Sequence, residues 1–176
     1  MENTYTKLIN GLVITPTGIL RGAQVILNKG IIEEINMRNT EIDHATIIDA
    51  QGHYIAPGCI DIHVHGGGGH DFAEANQKAF CAAAQAHALQ GGTTAIYPTI
   101  AASPRHVFDK AMKTCSALIG TTEQTFGRIM GLHLEGNYLN PLMKGAQDPA
   151  NIYPPRPAEY WDILRRNRCV RRWSAA

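Results

Sequence analysis

The chain contains no C-x-x-C pair. Its four cysteines, Cys59, Cys81, Cys115 and Cys169, stand far apart along 176 residues. That spacing argues against a zinc knuckle and against a disulfide framework, and a reducing, cytoplasmic setting is the expectation. No apolar run approaches the roughly 20 residues that span a bilayer, so no membrane partner is expected. The opening MENTYTKLIN also lacks the basic and apolar regions of a secretory signal. Neither sign of charge is in excess: 16 Lys and Arg face 15 Asp and Glu, for a formal net charge of +1. Such a balance gives no global reason to expect nucleic acid as a partner. Repeats and low-complexity tracts are missing too. What remains is 44% hydrophobic and 18% charged residues, an ordinary globular composition long enough for one well-buried domain, or a domain plus a small appendage.

The texture of the chain changes near Ala56-Pro57-Gly58. Residues 1–56 carry short apolar or alternating runs, TKLING, GLVIT, AQVILNKG and GIIEEIN, broken by Gly, Pro and Asn. These predict strands of a small sheet or sandwich. Residues 57–176 instead alternate strand-like and helix-like segments. CIDIHV, TTAIYPT, RIMGLHLEG and CVRRWSAA read as strands, with Pro98 expected to end the second. Between them, EANQKAFCAAAQAHALQGG, SPRHVFDKAMKTCSALIG and PAEYWDILRRN read as helices. Gly91 and Gly92 stand where a C-cap would, Ser103 fits an N-cap with Pro104 in the first turn, and Val107, Met112 and Leu118 supply an apolar face. Strand, helix, strand, helix is the signature of a parallel sheet built by right-handed crossovers. Four strand candidates make half of an eight-stranded barrel or most of a small open sheet.

The chemistry concentrates in DIHVHGGGGHDF, residues 61–72. On a strand of period two, Asp61, His63 and His65 project to the same side. The C-terminal end of a parallel strand is where α/β proteins place their sites, and imidazole is a common metal ligand. By itself H-x-H is a weak signal, and two exposed histidines beside a mobile loop are an equal alternative. Glu135 ends the third strand candidate and would face the same mouth, as a third ligand or as a bridge between two ions. His133 shares its face. GGTTAIYPT reads as a helix cap and a buried strand without a catalytic role. RRNRCVRR carries Arg165, Arg166, Arg168, Arg171 and Arg172, and without interleaved aromatics it reads as a solvated helix end rather than a nucleic-acid patch.

PGCIDIHVHGGGGHDF, GGTTAIYPT and GLHLEGNYLNPLMKGAQDP together resemble the N-terminal half of the N-acetylglucosamine-6-phosphate deacetylase family, within the amidohydrolase superfamily. H-L-E-G followed by L-N-P and K-G-A-Q is the specific part, and the resemblance runs over essentially the whole chain. It implies a (β/α)8 barrel beginning at residue 57, truncated here. It also implies a β-rich subdomain, residues 1–56, that forms part of a composite sandwich. A divalent metal, Zn or Fe, as one or two ions, is implied at the barrel mouth, with His63, His65 and Glu135 as ligands and with Ala146 and Gln147 in the segment whose backbone contacts the sugar. The implied reaction is metal-assisted hydrolysis of the N-acetyl group of N-acetylglucosamine 6-phosphate, giving glucosamine 6-phosphate and acetate in amino-sugar catabolism. The implied full-length enzyme is a cytoplasmic homodimer, and its aspartate base would lie beyond Ala176. The chain alone is therefore expected to be inactive. Asn137 departs from the family's proline after H-L-E-G and is expected to alter the loop. Two alternatives stand beside this reading: another amidohydrolase, dihydroorotase-like or acting on N-acyl amino acids, and a non-catalytic metal-binding fragment.

Overall fold

A computed structural model of the chain describes residues 4–121 and 127–176. These fall into two compact units, Met1–Pro57 and Gly58–Ala176. No helix among the described residues is long and apolar enough to cross a membrane.

The first unit is built of strands: β1 (Tyr5–Ile9), β2 (Leu12–Thr15), β3 (Gly18–Arg21), β4 (Gln24–Asn28), β5 (Ile31–Asn36), β6 (Thr46–Asp49) and β7 (Tyr54–Ile55). One sheet has the order β5-β4-β1-β6 and the other β3-β2-β7. Val13 of β2 and Val25 of β4 are buried together, with Leu8, Leu20, Leu27 and Ile55 against them, so side chains of both sheets meet in one small core. The apolar runs account for β1, β2, β4 and β5. The others depend on partners: β3 is set by its hairpin with β2, where Thr15 Oγ1 donates to the Gly18 carbonyl at 2.8 Å. β6 and β7 lie parallel to β1 and β2, pairings remote in sequence that no local pattern announces.

The second unit alternates as its sequence predicts. Its elements are β8 (Cys59–Val64), a hairpin of β9 (Gly66–Gly67) and β10 (His70–Asp71), α1 (Gln77–Gly91), β11 (Thr93–Ile100), α2 (Arg105–Leu118), β12 (Arg128–Ile129), β13 (Leu132–Glu135), α3 (Pro157–Arg166) and β14 (Val170–Ser174). β11 pairs in parallel with β8 on one side and with β12 and β13 on the other, and β14 continues the sheet beyond β13. A parallel sheet whose strands are joined through helices is consistent with part of a barrel.

Local chemistry explains the helices. Asn76 caps α1, its Oδ1 accepting from the Ala79 amide at 2.9 Å, and Gly92 closes it in the left-handed region at φ 63°. In α2, Phe108, Ala111, Met112, Cys115 and Leu118 recur at helical spacing and are all buried. They join Phe72, Phe80, Ile96, Ile100, Leu132 and Leu134 in one core between helices and sheet. The Phe72 and Phe80 rings meet edge to face at 5.1 Å.

Three expectations are corrected. β11 does not stop at Pro98 but continues to Ile100; a register shift against β8 falls between Ile96 and Pro98, an irregularity where a residue without an N–H is tolerated. Ser103 is not the α2 cap: Pro104 holds that position in extended conformation, and the Ser103 carbonyl accepts instead from Asn137 Nδ2 at 2.8 Å. RIMGLHLEG is two strands rather than one. The break falls at Met130–Gly131, where the Arg171 stem occupies the space a Cβ on Gly131 would take.

Burial of this kind has a measurable weight. Phe80→Ala is expected to lower stability by about 3–5 kcal/mol, whereas Asn76→Ala, which removes only the α1 cap, is expected to cost about 1 kcal/mol. Urea titrations of the two variants against the parent chain check both magnitudes and their order.

Candidate metal centre

His63 lies near the end of β8 and His65 just beyond it, and Glu135 is the last residue of β13. β11 stands between the two strands, so the three side chains converge from neighbouring strand ends. Glu135 Oε1 lies 3.7 Å from His63 Nε2, and Oε2 lies 3.2 Å from His65 Nε2. One donor atom from each residue falls within 4.8 Å of the others. The two imidazoles meet edge to face at 5.1 Å. Both are well exposed, with 42% of each side chain accessible, while the Glu135 side chain keeps 23%. Two imidazole nitrogens and a carboxylate oxygen form a donor set that suits a divalent ion of intermediate softness. These three residues could therefore hold a metal ion.

The surroundings hold the donors in place. Asp61 Oδ1 accepts from the His63 amide at 3.0 Å, so this carboxylate stabilises the β8 backbone rather than joining the cluster. The glycine run is not a loose loop. Gly66–Gly67 and His70–Asp71 form an antiparallel hairpin, and Gly68 and Gly69 turn it with φ of 59° and 80°. Two successive left-handed residues are what a tight hairpin turn demands and what glycine supplies without strain. His87 Nε2 on α1 lies 2.9 Å from the Gly66 carbonyl and ties the hairpin to the helix. His70 and Asp71 have structural roles. His70 Nδ1 sits 3.0 Å from Glu74 Oε1, and Asp71 and Glu74 form a reciprocal capping box around the turn at Phe72–Glu74.

Below the cluster lies a buried polar chain that sequence reasoning missed in part. His133 is fully buried, with its ring centroid 5.1 Å from that of His63. Its Nδ1 is 3.1 Å from Thr99 Oγ1 and its Nε2 is 2.9 Å from Ser174 Oγ. Both ring nitrogens thus have hydroxyl partners. Burial, reinforced by the charges of Arg172 and His63, pushes its pKa down to about 4. Thr99 Oγ1 also accepts from the Val64 amide at 3.1 Å, which links β11 to the ligand strand. Thr99 lies in a segment expected to have no part in the site. Its only sequence signal is its place near the C-terminal end of a strand. Arg172 reaches from β14 to donate through Nη1 to the Ile62 carbonyl at 3.1 Å.

Gln147, expected to contact the sugar through its backbone, also engages its side chain. Nε2 donates to Glu135 Oε2 at 2.9 Å, while Oε1 accepts from the Ala102 amide at 2.8 Å. Lys144 Nζ donates to the Gln147 carbonyl at 3.0 Å and shapes the same turn. Ala146 is exposed beside it. Asn137 is almost wholly buried; its amide nitrogen binds the Ser103 carbonyl and its Oδ1 has no partner among the described residues. It ties the segment after Glu135 to the end of β11.

No family model matches the chain. Among curated proteins it is similar to the N-acetylglucosamine-6-phosphate deacetylase of Haemophilus influenzae, with 30% identity over 160 residues, 91% of this chain and 41% of that protein. The Danio rerio protein of the same name is 32% identical over 104 residues, 58% of this chain and 25% of its own length. A dihydroorotase of Halalkalibacterium halodurans is 34% identical over 126 residues, 68% of this chain and 26% of that enzyme. The chain spans less than half the length of these relatives. Among solved structures, the N-acetylglucosamine-6-phosphate deacetylase of Pasteurella multocida superimposes with a TM-score of 0.85 at 25% identity, over 97% of this chain and 44% of that one. A Mycobacterium smegmatis deacetylase bearing the D267A substitution, in complex with N-acetyl-D-glucosamine-6-phosphate, shares the fold at 0.79 and 23% identity, over 99% of this chain and 44% of its own. The curated homologues and structural neighbours of this chain are thus mostly N-acetylglucosamine-6-phosphate deacetylases of the amidohydrolase superfamily, with a dihydroorotase beside them, and the chain corresponds to part of them.

Proposed function

We propose that this chain carries part of the metal centre of an amino-sugar-phosphate deacetylase, with His63, His65 and Glu135 as its ligands. The observation that carries this reading is the convergence of their donor atoms within 4.8 Å at the C-terminal ends of parallel strands. The reaction is hydrolysis of the N-acetyl group of N-acetylglucosamine 6-phosphate, in cytoplasmic amino-sugar catabolism. One divalent ion, Zn²⁺ or Fe²⁺, fits the three donors. When bound, such an ion supplies Lewis acidity toward an amide carbonyl and lowers the pKa of water.

The chain's own residues hold this arrangement. The Gln147 amide, fixed by the Ala102 N–H, fastens Glu135 Oε2 and leaves Oε1 directed at His63. His133, with Thr99 and Ser174 on its two nitrogens, supports the His63 ring from below without offering a free donor. The exposed turn at Ala146 and Gln147 stands beside the ligands, where an amino sugar would be received. Among the described residues no further carboxylate stands in the cluster to serve as base. The full-length enzyme is proposed to be a homodimer, with residues 1–56 contributing to a composite sandwich. A dihydroorotase-like activity is the second reading, supported by the similarity to the H. halodurans enzyme. It fits residues 131–149 less well, because the H-L-E-G, L-N-P and K-G-A-Q run resembles the deacetylases.

Zn²⁺ titrated calorimetrically into the chain is expected to bind at one ion per molecule. Glu135→Gln or His65→Ala should abolish the heat, and unchanged binding in both would sink the ligand assignment. Gln147→Leu preserves all three ligands but frees the carboxylate, and is expected to weaken Zn²⁺ binding by about 10-fold or more. Incubated with N-acetylglucosamine 6-phosphate and Zn²⁺ or Fe²⁺, the chain alone is expected to release no acetate above a metal blank. A full-length homologue assayed beside it on N-acetyl and cyclic-amide substrates separates the two activities.

A further inference from the structure

The basic residues near Arg165 are gathered by the fold rather than dispersed. Arg165 and Arg166 end α3, Arg168 follows, and Arg171 lies on β14. These four arginines line a cleft of ≈ 400 Å³ beside Ser116 and Ile119. A second cleft of ≈ 630 Å³ shares Arg171 and Ile119 and adds Arg128, the Thr121 hydroxyl and the apolar Met130. Arg128 opens β12 and Arg168 precedes β14, so the paired clefts lie at the N-terminal ends of the strands, away from His63, His65 and Glu135.

Neither cleft has a carboxylate in its wall among the described residues. Arg166 binds Asp162 at 2.6 Å, and Arg165 lies over the Trp161 ring at 5.6 Å. The side chains of Arg128, Arg168 and Arg171 make no hydrogen bond, ion pair or ring contact among the described residues. The ends of α2 and α3 account for some of this charge, because each helix C-terminus carries about −0.5 of an elementary charge. Among the described residues, five guanidiniums, less two helix ends and Asp162, leave about three positive charges in excess. Arg171 is also placed in advance, since its stem lies against Gly131 in the space a Cβ would fill.

We propose that the paired clefts bind a small molecule bearing a di- or triphosphate group, with Arg168 and Arg171 as the principal donors. Guanidinium forks match phosphate oxygens two at a time, which a lone ammonium does not. Two adjoining clefts sharing one arginine suit an anion with more than one phosphate, and Met130 and Ile129 offer an apolar wall to an attached organic group. The local excess persists although the whole chain is nearly neutral, so binding depends on the site and not on net charge.

Inorganic tripolyphosphate is the probe, titrated calorimetrically into the 176-residue chain at low salt. One anion per chain is expected, with affinity falling as salt rises. Arg168→Gln/Arg171→Gln should weaken it by about 10-fold or more, whereas Arg21→Gln/Lys78→Gln, which removes the same charge elsewhere, should leave it within about twofold. Each altered side chain is exposed, and far-UV circular dichroism checks that the variants fold. No binding at low salt, equal losses in both double variants, or citrate binding as tightly as tripolyphosphate would each overturn the proposal.

Discussion

Strand β11 sets the spacing on which everything at the site depends. β8 and β13 each pair with β11 and not with each other, so the distance between the histidines and Glu135 is fixed by two parallel registers sharing one strand. Thr99 marks the junction, taking the Val64 amide on one side and facing the His133 ring on the other. A slip of one residue in either pairing would turn a ligand away from the cluster, since strand side chains alternate faces. Register is secured by the buried faces of these strands, where Ile96, Ile100, Leu132 and Leu134 enter the helix-covered core.

The parts legible in the sequence share one property: their signal is local. Period-two spacing aligned His63 with His65, glycine marked the C-terminal end of α1, and helical spacing marked the buried face of α2. What stayed hidden depends on partners distant in sequence. Ser174 meets His133 across 41 residues, and Gln147 meets Ala102 across 45. A threonine in a strand or a glutamine in a loop announces nothing until the fold supplies its neighbour. Pro98 misleads for the converse reason: proline forbids a hydrogen bond but not a strand, and the irregular pairing around it makes no use of the missing N–H.

Polar groups are treated differently on the two levels of the site. His63 and His65 keep access to solvent, and Glu135 is only partly covered. One layer down, His133 is sealed, uncharged and flanked by hydroxyls. A buried imidazole with both nitrogens paired carries little desolvation penalty, whereas a charged one in the same place would be costly. The site therefore rests on a neutral, hydrogen-bonded floor and presents its charge upward.

The contact between Arg172 and the Ile62 carbonyl also records shape. β14 and β8 are separated by two intervening strands, so three inter-strand steps in a flat sheet would hold them about 14 Å apart, farther than an arginine side chain extends. The hydrogen bond closes at 3.1 Å. The sheet must then be rolled so that this side chain spans the arc as a chord, a curvature consistent with part of a barrel.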